Sequence, residues 1–371
     1  MKIYQVGGAV RDKIMGIEPH DFDYMVVGSD IQEMKALGFK QVGKQFPVFL
    51  HPKTKDEYAL ARKEIKIGPK HADFSFIFDR DVTLEEDLLR RDFTCNALAY
   101  DIENDKVVDF HNGIQDIQNK ILRHITAEHF IEDPLRILRM CRFAAQLNFE
   151  VAPETLELTK KMTADGMLLH LSAERIWGEF HKALMTEHFE KFIFYANACG
   201  ALQYILPELL QNNKISDFDS LRFEKIKDFS PKVKFAVLIS RISSLDHSAL
   251  SNIAQRLKLP NEFRNLCSLF YNEKNNFYNL TRMNFSDLVC FYDRIHKFFE
   301  TFLSACEADA LLKQSGRDDN FFFCQSKLSD IHQILKDVKA TDMPDFQNIP
   351  KDENFQRVFL EYRTQLLQKK L

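Results

Sequence analysis

The chain has 371 residues, 45% of them hydrophobic and 28% charged, with 50 Lys and Arg against 54 Asp and Glu. This length suits roughly two to three domains, and no apolar run approaches the ~18 residues that a membrane-spanning helix needs. The amino terminus lacks the apolar segment of a secretory signal, so the sequence predicts a cytoplasmic protein. The seven cysteines include no Cys-x-x-Cys pair, which argues against disulfides or a thiolate metal site.

The first part of the chain, up to about residue 112, is rich in glycine turns and short alternating apolar stretches. These stretches predict strands at 2–6, 21–27, 48–51, 57–62, 93–100 and 106–110. Residues 83–86, Thr-Leu-Glu-Glu, form a capping box that begins a short helix. We therefore predict an α+β fold whose head, residues 1–125, contains a mixed sheet of five or six strands.

From Pro134 onward the apolar pattern becomes helical. Helices are predicted near 135–145, 153–165, 172–198, 220–243 and 248–272, with loops at 212–219, 274–279 and 340–352. The prediction is an all-α neck at 126–205, followed by an all-α body and tail at 206–371.

Two carboxylates, Asp21 and Asp23, lead into an apolar strand. Because alternate residues of a strand point to one face, both carboxylates can hold one hard cation, and Mg²⁺ accepts one or two carboxylates beside substrate phosphates. The alternative is a solvated pair on an edge strand.

A glycine turn precedes these carboxylates: residues 7–12 read Gly-Gly-Ala-Val-Arg-Asp, after one predicted strand and at the start of a helix. Backbone N–H groups of such a turn can approach a triphosphate, with Arg11 as a counter-charge. A Gly-Gly pair alone is more often only a turn.

The order of motifs resembles a known family. Residues 7–12 and 21–23 are similar to the first motif of the polymerase β-type nucleotidyltransferases, and more narrowly of the bacterial class II tRNA nucleotidyltransferases, which include CCA-adding enzymes and poly(A) polymerases. Four further motifs follow in the family's order, at residues 90–99, 109–116, 132–139 and 172–180.

This resemblance implies a polymerase β-like head and Mg²⁺-dependent transfer of nucleotides from CTP and ATP to a tRNA 3′ end. It implies that Asp21 and Asp23 are catalytic and bind the metal. It also assigns nucleotide binding to the following residues: Gly8, Arg11, Arg91, Asp133, Arg136 and Arg139.

The fourth motif can also be interpreted physically. Asp133, Arg136 and Arg139 recur every three residues along one helix face, which places an acceptor beside a donor. Cytosine and adenine offer the complementary amine and ring nitrogen, whereas uracil and guanine do not. The alternative is that Asp133, before Pro134, only caps the helix.

A basic stretch at 62–71 predicts a mobile loop facing phosphate, and the resemblance associates this loop with addition of the final A. Glu57 is the nearest candidate for a third catalytic carboxylate, and Arg175, Glu174 and Glu179 are expected to brace the neck.

The chain departs from its relatives after about residue 205, because none of His247, His296 and His332 is followed by Asp, as a metal-phosphohydrolase domain would require. We expect the part of the chain after about residue 205 to bind the tRNA. Its candidate phosphate contacts are Lys232, Lys234, Arg256, Lys258 and Arg264.

Three alternative functions remain. A narrower relative would add A alone or poly(A), a tRNA-binding protein would have lost catalysis, and a small-molecule nucleotidyltransferase would not need the long helical half.

Overall fold

A mixed seven-stranded sheet lies in the amino-terminal part of the chain, in the order β3-β4-β5-β2-β1-β8-β9. Its strands are β1 Lys2–Val6, β2 Asp23–Val27, β3 Lys40–Val42, β4 Val48–Leu50, β5 Glu57–Leu60, β8 Leu98–Asp101 and β9 Lys106–Asp109. The β2–β5 pair is parallel and the other pairs are antiparallel. Two smaller pairs complete the strands: antiparallel β6 Lys63–Lys66 with β7 Phe74–Ile77, and parallel β10 Ile121–Leu122 with β11 Glu150–Val151.

This computed structural model describes residues 1–19, 21–42, 48–66, 74–78, 80–210, 223–242, 245–313, 319–344, 346–348 and 354–371. The predicted loop at 212–219 and residues 67–71 of the basic stretch lie outside the described residues. The prediction of a loop is wrong for residues 63–66 of that stretch, which form β6 and pair with β7. The chain divides into two units: unit 1 contains residues 1–183 and 191–204, and unit 2 contains residues 184–190 and 205–371.

Helices pack on both faces of the sheet. On one face Tyr4, Val6 and Met25 pack with Leu84 and Leu88 of a short helix. On the other face Val26, Phe49 and Leu60 pack with Met34. Successive apolar side chains of these strands enter opposite clusters, as Met25 and Val26 of β2 do, so burial is continuous along β1 and β2.

The described helices are α1 Gly8–Ile14, α2 Ile31–Ala36, α3 Leu84–Leu89, α4 Gly113–Gln118, α5 Ala127–Phe130, α6 Leu135–Leu147, α7 Pro153–Ala164, α8 Ala173–Leu184, α9 Phe189–Ala198, α10 Leu202–Ile205, α11 Pro231–Ile239, α12 His247–Arg256, α13 Asn261–Tyr278, α14 Phe285–Ile295, α15 Phe299–Leu312, α16 Asp319–Leu335 and α17 Asn354–Lys370. The α+β fold with a mixed sheet and a helical remainder is thus confirmed.

Several boundaries differ from the prediction. The sheet has seven strands because the short β3, missed in the sequence, pairs with β4. The stretch 93–100 is a strand only from Leu98, because residues Thr94–Asn96 form a 3₁₀ turn. The Thr94 side chain donates to Asp116, and the Thr94 N–H donates to Arg123 O rather than to a sheet partner.

The predicted loop at 274–279 is wrong, because α13 continues through Tyr278. The loop is predicted from the polar Asn residues of this stretch. The stretch is helical because Phe270 and Phe277, seven residues apart, are both fully buried on one helix face. The predicted helix 172–198 is two helices, α8 and α9. Residues 248–272 are also split, at Pro260, which stands immediately before α13.

All seven cysteines are free thiols, and six of them are buried. Burial raises the pKa of the Cys95 and Cys267 thiols to about 12. Among the described residues, no helix is both long and apolar enough to cross a bilayer.

Among the described glycines, Gly113 has the least room for a side chain, since a Cβ atom there would lie 2.3 Å from Thr94 O and 3.1 Å from Leu98 Cδ2. We expect Gly113→Ala to lower the free energy of unfolding by about 1–3 kcal/mol, because the backbone of Thr94 must move. Urea denaturation measures this loss.

The matched control is Gly178→Ala in α8, where a Cβ would meet nothing within 4 Å among the described residues. That change should be neutral or stabilise by up to about 1 kcal/mol, because Ala has the higher helix propensity. Equal stability of the Gly113→Ala variant and the wild type would contradict the close approach.

Candidate active site

Carboxylates gather at one end of the central strands. Asp23 is the first residue of β2 and is aligned with Val6 of β1 and with Glu57 of β5. Aligned residues of neighbouring strands project to the same face of a sheet, so Asp23 and Glu57 are neighbours on one face. Asp21, Asp23 and Glu57 are all exposed to solvent.

The expectation that Asp21 lies on the strand is wrong, because β2 begins at Asp23. Asp21 instead belongs to the segment that enters the strand, outside the hydrogen-bonded ladder. Phe22, between the two carboxylates, contacts Lys13, whose Nζ lies 5.6 Å from the ring centroid.

The donors suit a metal that the substrate helps to hold. Among the described residues, no three His, Cys, Asp or Glu side chains converge into a complete metal site. Mg²⁺ does not need one, since it binds one or two carboxylates and fills its octahedron with water and phosphate oxygens. Asp21 and Asp23 fit that requirement.

The glycine turn lies beside a guanidinium group. Gly7 has φ +75° and its N–H donates to Leu98 O at 3.1 Å, which fixes the end of β1 before α1 begins at Gly8. A Cβ on Gly7 would lie 3.0 Å from Arg91 Nη1. No side chain caps the first turn of α1, so its N–H groups are available to an anion.

Arg91 is held in place by a carbonyl and by carboxylates. Its Nη1 donates to Asn96 O at 3.3 Å, and its Nη2 lies 3.7 Å from the Asp87 carboxylate. Burial lowers the pKa of Arg91, and the negative charges of Asp87, Asp92 and Asp23 oppose this shift. Arg91 thus lies beside Gly7, which directly follows Val6, the β1 partner of Asp23.

The Arg91 Nε atom is buried with no hydrogen-bond acceptor among the described residues. An unsatisfied donor of this kind is costly, and it is common where a ligand supplies the missing acceptor.

Arg11, the other arginine near the glycine turn, has only 4% of its surface exposed. Its Nη1 donates to Asn96 Oδ1 at 2.7 Å, and its Nε and Nη2 donate to Asp12 Oδ1. This geometry favours a supporting role for Arg11 beneath the glycine turn, and its direct contact with a triphosphate stays a prediction.

Asp92 connects the sheet end to α6. Its carboxylate accepts from Arg139 Nε at 2.8 Å and also from Arg139 Nη2, from the Phe93 N–H and from Asn96 Nδ2. Burial alone would raise the pKa of Asp92, but the charge of Arg139 and the bonds from Arg139 and Asn96 hold it below its usual value. The predicted nucleotide-binding residue Arg139 is thus an ion-pair partner in this structure.

A second ion pair and an aromatic ring lie farther along α6. Arg142 Nε donates to the buried Glu179 at 2.5 Å, and the Arg142 guanidinium lies 3.9 Å from the centre of the Phe143 ring. The guanidinium groups of Arg11 and Arg139 lie 5.6 and 5.2 Å from the same ring. Phe143 therefore packs against three positive charges, each of which has its own acid.

The motif predicted to select the base lies at the start of α6, with Asp133 just before the helix. Asp133 Oδ1 accepts the Leu135 N–H at 2.9 Å, and both Asp133 oxygens accept from Arg175 Nη2 at 3.0 and 3.2 Å. The alternative interpretation of Asp133 as a cap is therefore observed, together with an ion pair that leaves it 32% exposed. Arg136 donates to the main-chain oxygens of His129 and Arg90.

The comparisons with known proteins agree with one another. Residues 3–123 match the family described as Poly A polymerase head domain, and residues 148–212 match the family described as Probable RNA and SrmB-binding site of polymerase A. The CCA-adding enzyme of Coxiella burnetii is 39% identical over 355 residues, which cover 94% of this chain and 89% of that protein. The chain belongs to the CCA-adding enzyme family.

Further relatives of this family cover most of the chain. The CCA-adding enzyme of Pseudomonas entomophila is 42% identical, with 86% of this chain and 87% of that protein covered. The multifunctional CCA protein of Vibrio vulnificus is 38% identical, with the same coverage. Members of the CCA-adding enzyme family are nucleotidyltransferases, which generally use a divalent metal.

Solved structures share the fold. The Bacillus stearothermophilus CCA-adding enzyme in complex with CTP has a TM-score of 0.74 at 21% identity, with 99% of this chain and 89% of that chain covered. The Thermotoga maritima enzyme complexed with tRNA has a TM-score of 0.71 at 20% identity, with 100% and 88% covered. At this identity the likeness establishes the fold of the CCA-adding enzymes for this chain.

Sequence reasoning missed two contacts of this CCA-adding family member. Asp92 is the centre of a buried ion pair, and Arg175 bonds to Asp133; both residues lie inside recognised motifs, but their partners are distant along the chain. Glu57 was named only as a weak candidate, whereas the parallel β2–β5 register sets it beside Asp23.

The predicted phosphate contacts of unit 2 need one correction. Lys234 is only 2% exposed and its Nζ donates to Leu184 O and Thr186 O, so it stabilises the fold and cannot reach a phosphate. Arg256 pairs with Glu208, and Lys232 Nζ lies 3.5 Å from Glu262. Arg264 donates to Asn261.

We expect Asp92→Asn to lower the free energy of unfolding by about 2 kcal/mol at pH 7, because Arg139 loses a charged acceptor. The native pKa of Asp92 lies below its unfolded value, so this contribution is present above about pH 4 and is lost as the pH falls further. Urea denaturation at pH 7 and pH 3.5 should show a steeper acid loss for the wild type.

The control for this prediction is Asp30→Asn, which removes an exposed ion pair with Arg80 but keeps the side-chain oxygen that caps α2. It should leave the free energy of unfolding close to that of the wild type, because an exposed ion pair contributes little to stability. Parallel pH profiles for the wild type and Asp92→Asn would show that Asp92 is not linked to acid stability.

Proposed function

We propose that this protein adds C, C and A to the 3′ end of tRNA, using CTP and ATP and releasing pyrophosphate. The observation that carries the proposal is identity of 38–42% to CCA-adding enzymes and multifunctional CCA proteins over most of the chain. The site supports the proposal, because Asp21 and Asp23, the glycine turn and Arg91 lie at one end of the sheet. No side chain caps that turn, and Arg91 Nε has no acceptor among the described residues.

We propose Mg²⁺ as the divalent metal, held by Asp21 and Asp23. When bound, this metal lowers the pKa of the attacking 3′-hydroxyl and neutralises charge on the transferred phosphate. The exposed position of both carboxylates lets substrate oxygens share the metal. Glu57, beside Asp23 on the same face, is proposed as the third carboxylate, which adds negative charge where the metal must be held.

The triphosphate is proposed to lie against Gly8 and Arg91. The N–H groups of the first turn of α1 can donate to its oxygens, and the buried Arg91 Nε lacks an acceptor among the described residues until a ligand supplies one. Arg11 supports this turn from beneath through Asp12 and Asn96.

Base selection is proposed to use Asp133 and Arg136, with Arg139 behind them. Asp133 is an acceptor and Arg136 a donor, which suits the amine and ring nitrogen of cytosine and adenine. The Arg175–Asp133 ion pair holds the carboxylate in the absence of a base. Because Asp133 has two oxygens, one can remain with Arg175 while the other accepts from the base.

We retain the division into head 1–125, neck 126–205, and body and tail 206–371 as part of this proposal, with the last part binding tRNA. A cytoplasmic location is proposed because the proposed substrates, tRNA, CTP and ATP, are used there.

The first experiment uses purified protein, Mg²⁺ and a tRNA transcript that ends at the discriminator base. With CTP alone we expect two additions, and with CTP and ATP a third. UTP and GTP should give none, because neither base offers an amine to Asp133 beside a ring-nitrogen acceptor for Arg136. Products are sized at single-nucleotide resolution. Addition of A alone, and only to a transcript ending in CC, would instead identify an A-adding enzyme.

The metal assignment predicts that Asp23→Ala abolishes incorporation. Glu57→Gln should slow incorporation by about 10- to 100-fold, a loss of about 1.4–2.7 kcal/mol of transition-state stabilisation. Mg²⁺ titration of the initial rate should show a higher half-saturating concentration for Glu57→Gln.

The matched control is Asp56→Asn, the preceding residue, which lies outside β5 and accepts a hydrogen bond from the Thr54 hydroxyl. It should leave the Mg²⁺ dependence unchanged. Retained activity in a folded Asp23→Ala variant would refute the metal assignment.

A further inference from the structure

A fully buried acid in unit 2 is surrounded by bases. Asp309 in α15 has 0% of its surface exposed. Its Oδ1 accepts from Arg241 Nη2 at 2.7 Å and from Lys274 Nζ at 2.9 Å. Lys313 Nζ lies 3.9 Å from Asp309 Oδ2. We call these four residues the Asp309 cluster.

Arg241 and Lys274 share one carboxylate oxygen in the Asp309 cluster. Burial lowers the pKa of Lys274, the Asp309 carboxylate opposes this shift, and the positive charges of Arg241 and Lys313 lower the pKa further. Arg241 and Lys274 therefore repel one another across a single negative charge. A second negative charge close to the bases would remove this repulsion.

The bases are accessible although the acid is not. The side chains of Arg241, Lys274 and Lys313 are 25%, 22% and 34% exposed. They come from three places in the chain: after α11, within α13 and after α15. Their charged ends therefore meet at one surface point above Asp309.

Asp309 and Tyr278 restrain these flexible side chains. Arg241 Nη2 also donates to the main-chain oxygen of Asp309, and Tyr278 Oη donates to Asp309 Oδ2 at 3.3 Å. Lys313 Nζ lies 3.7 Å from the centre of the Tyr278 ring. Because the side chains are already ordered, an anion that binds them loses little of its affinity to side-chain entropy.

The position of the cluster favours a phosphate presented from outside. A cavity of about 270 Å³ in the same unit is lined by other residues, among them His247 and Arg264, and by none of the cluster. A phosphate that belongs to a polymer needs no such cavity, because the rest of the ligand lies over the surface.

We propose that Arg241, Lys274 and Lys313 bind a backbone phosphate of the tRNA substrate. The proposal rests on the function proposed above and names contacts for the helical part of the chain. The sequence does not suggest this site, because Arg241 and Asp309 are 68 positions apart.

The test is tRNA binding without nucleotides, measured for Lys274→Gln over a range of salt concentrations. One lost phosphate contact should weaken binding about fivefold at 0.1 M salt and reduce the slope of log Kd against log salt by about 1. The matched control is Lys327→Gln in α16, a part-buried lysine of the same unit that donates to Leu280 O. It should bind tRNA like the wild type.

Asp309→Asn provides a second measurement with the opposite sign. Removal of the negative charge leaves the bases in excess, so the folded variant should bind tRNA more tightly than the wild type. If Asp309 served stability alone, its removal would lower the unfolding temperature without any gain in affinity. Unchanged affinity and salt slope in both variants would overturn the proposal.

Inorganic phosphate distinguishes the source of the ligand. Stabilisation of the wild type by millimolar phosphate, with unchanged tRNA binding in the variants, would assign the cluster to a small phosphate compound and overturn the tRNA contact. Two outcomes separate this inference from the proposed function. If the wild type incorporates CMP and the Lys274→Gln variant binds tRNA as well as the wild type does, the inference is refuted and the proposed function stands. If the wild type neither binds tRNA nor incorporates CMP, both the inference and the proposed function are refuted.

Discussion

The active-site end of unit 1 depends on how the Asp92 carboxylate is neutralised inside the protein. An unpaired carboxylate in such a place would cost several kcal/mol, so α6 must pack where Arg139 can reach it. The same short segment carries Arg91 to the Gly7 turn and offers Arg90 O to Arg136. One ion pair thereby fixes the spatial relation between the proposed phosphate-binding turn and the proposed base-selecting helix.

Buried charge is compensated in two ways in this molecule. In unit 1 each buried or half-buried arginine near Phe143 has its own acid: Arg11 with Asp12, Arg139 with Asp92, and Arg142 with Glu179. In unit 2 several bases share Asp309. Matched pairs hold parts of a protein together, whereas shared acids leave positive potential at the surface, which is useful to a protein that handles a polyanion.

Features that depend on neighbouring residues could be predicted from the sequence. The capping box at Thr83 is present with both of its hydrogen bonds, and the short apolar stretches of β1, β2 and β5 gave their approximate limits. The family resemblance also identified the motifs that meet near Gly7. Each of these signals lies within a few residues of chain.

Features that depend on distant residues could not be predicted. Glu57 gains its place beside Asp23 from the parallel pairing of β5 with β2, which no local pattern reveals. Asp21 looked like part of the strand, but the ladder with β1 ends at the Val6–Asp23 pair. The sequence predicts a loop at the end of α13 because the polar residues there are typical of loops. The helix continues because Phe277 is buried, and this burial depends on tertiary packing.

The reactivity of the buried cysteines reports whether the core around them is closed. Thiols with a pKa near 12, such as Cys95 in unit 1 and Cys267 in unit 2, are almost wholly protonated and shielded from reagents at neutral pH. They become reactive only when the surrounding core opens. The rates at which alkylating reagents modify Cys95 and Cys267 therefore report opening of the two units separately, without any label being introduced.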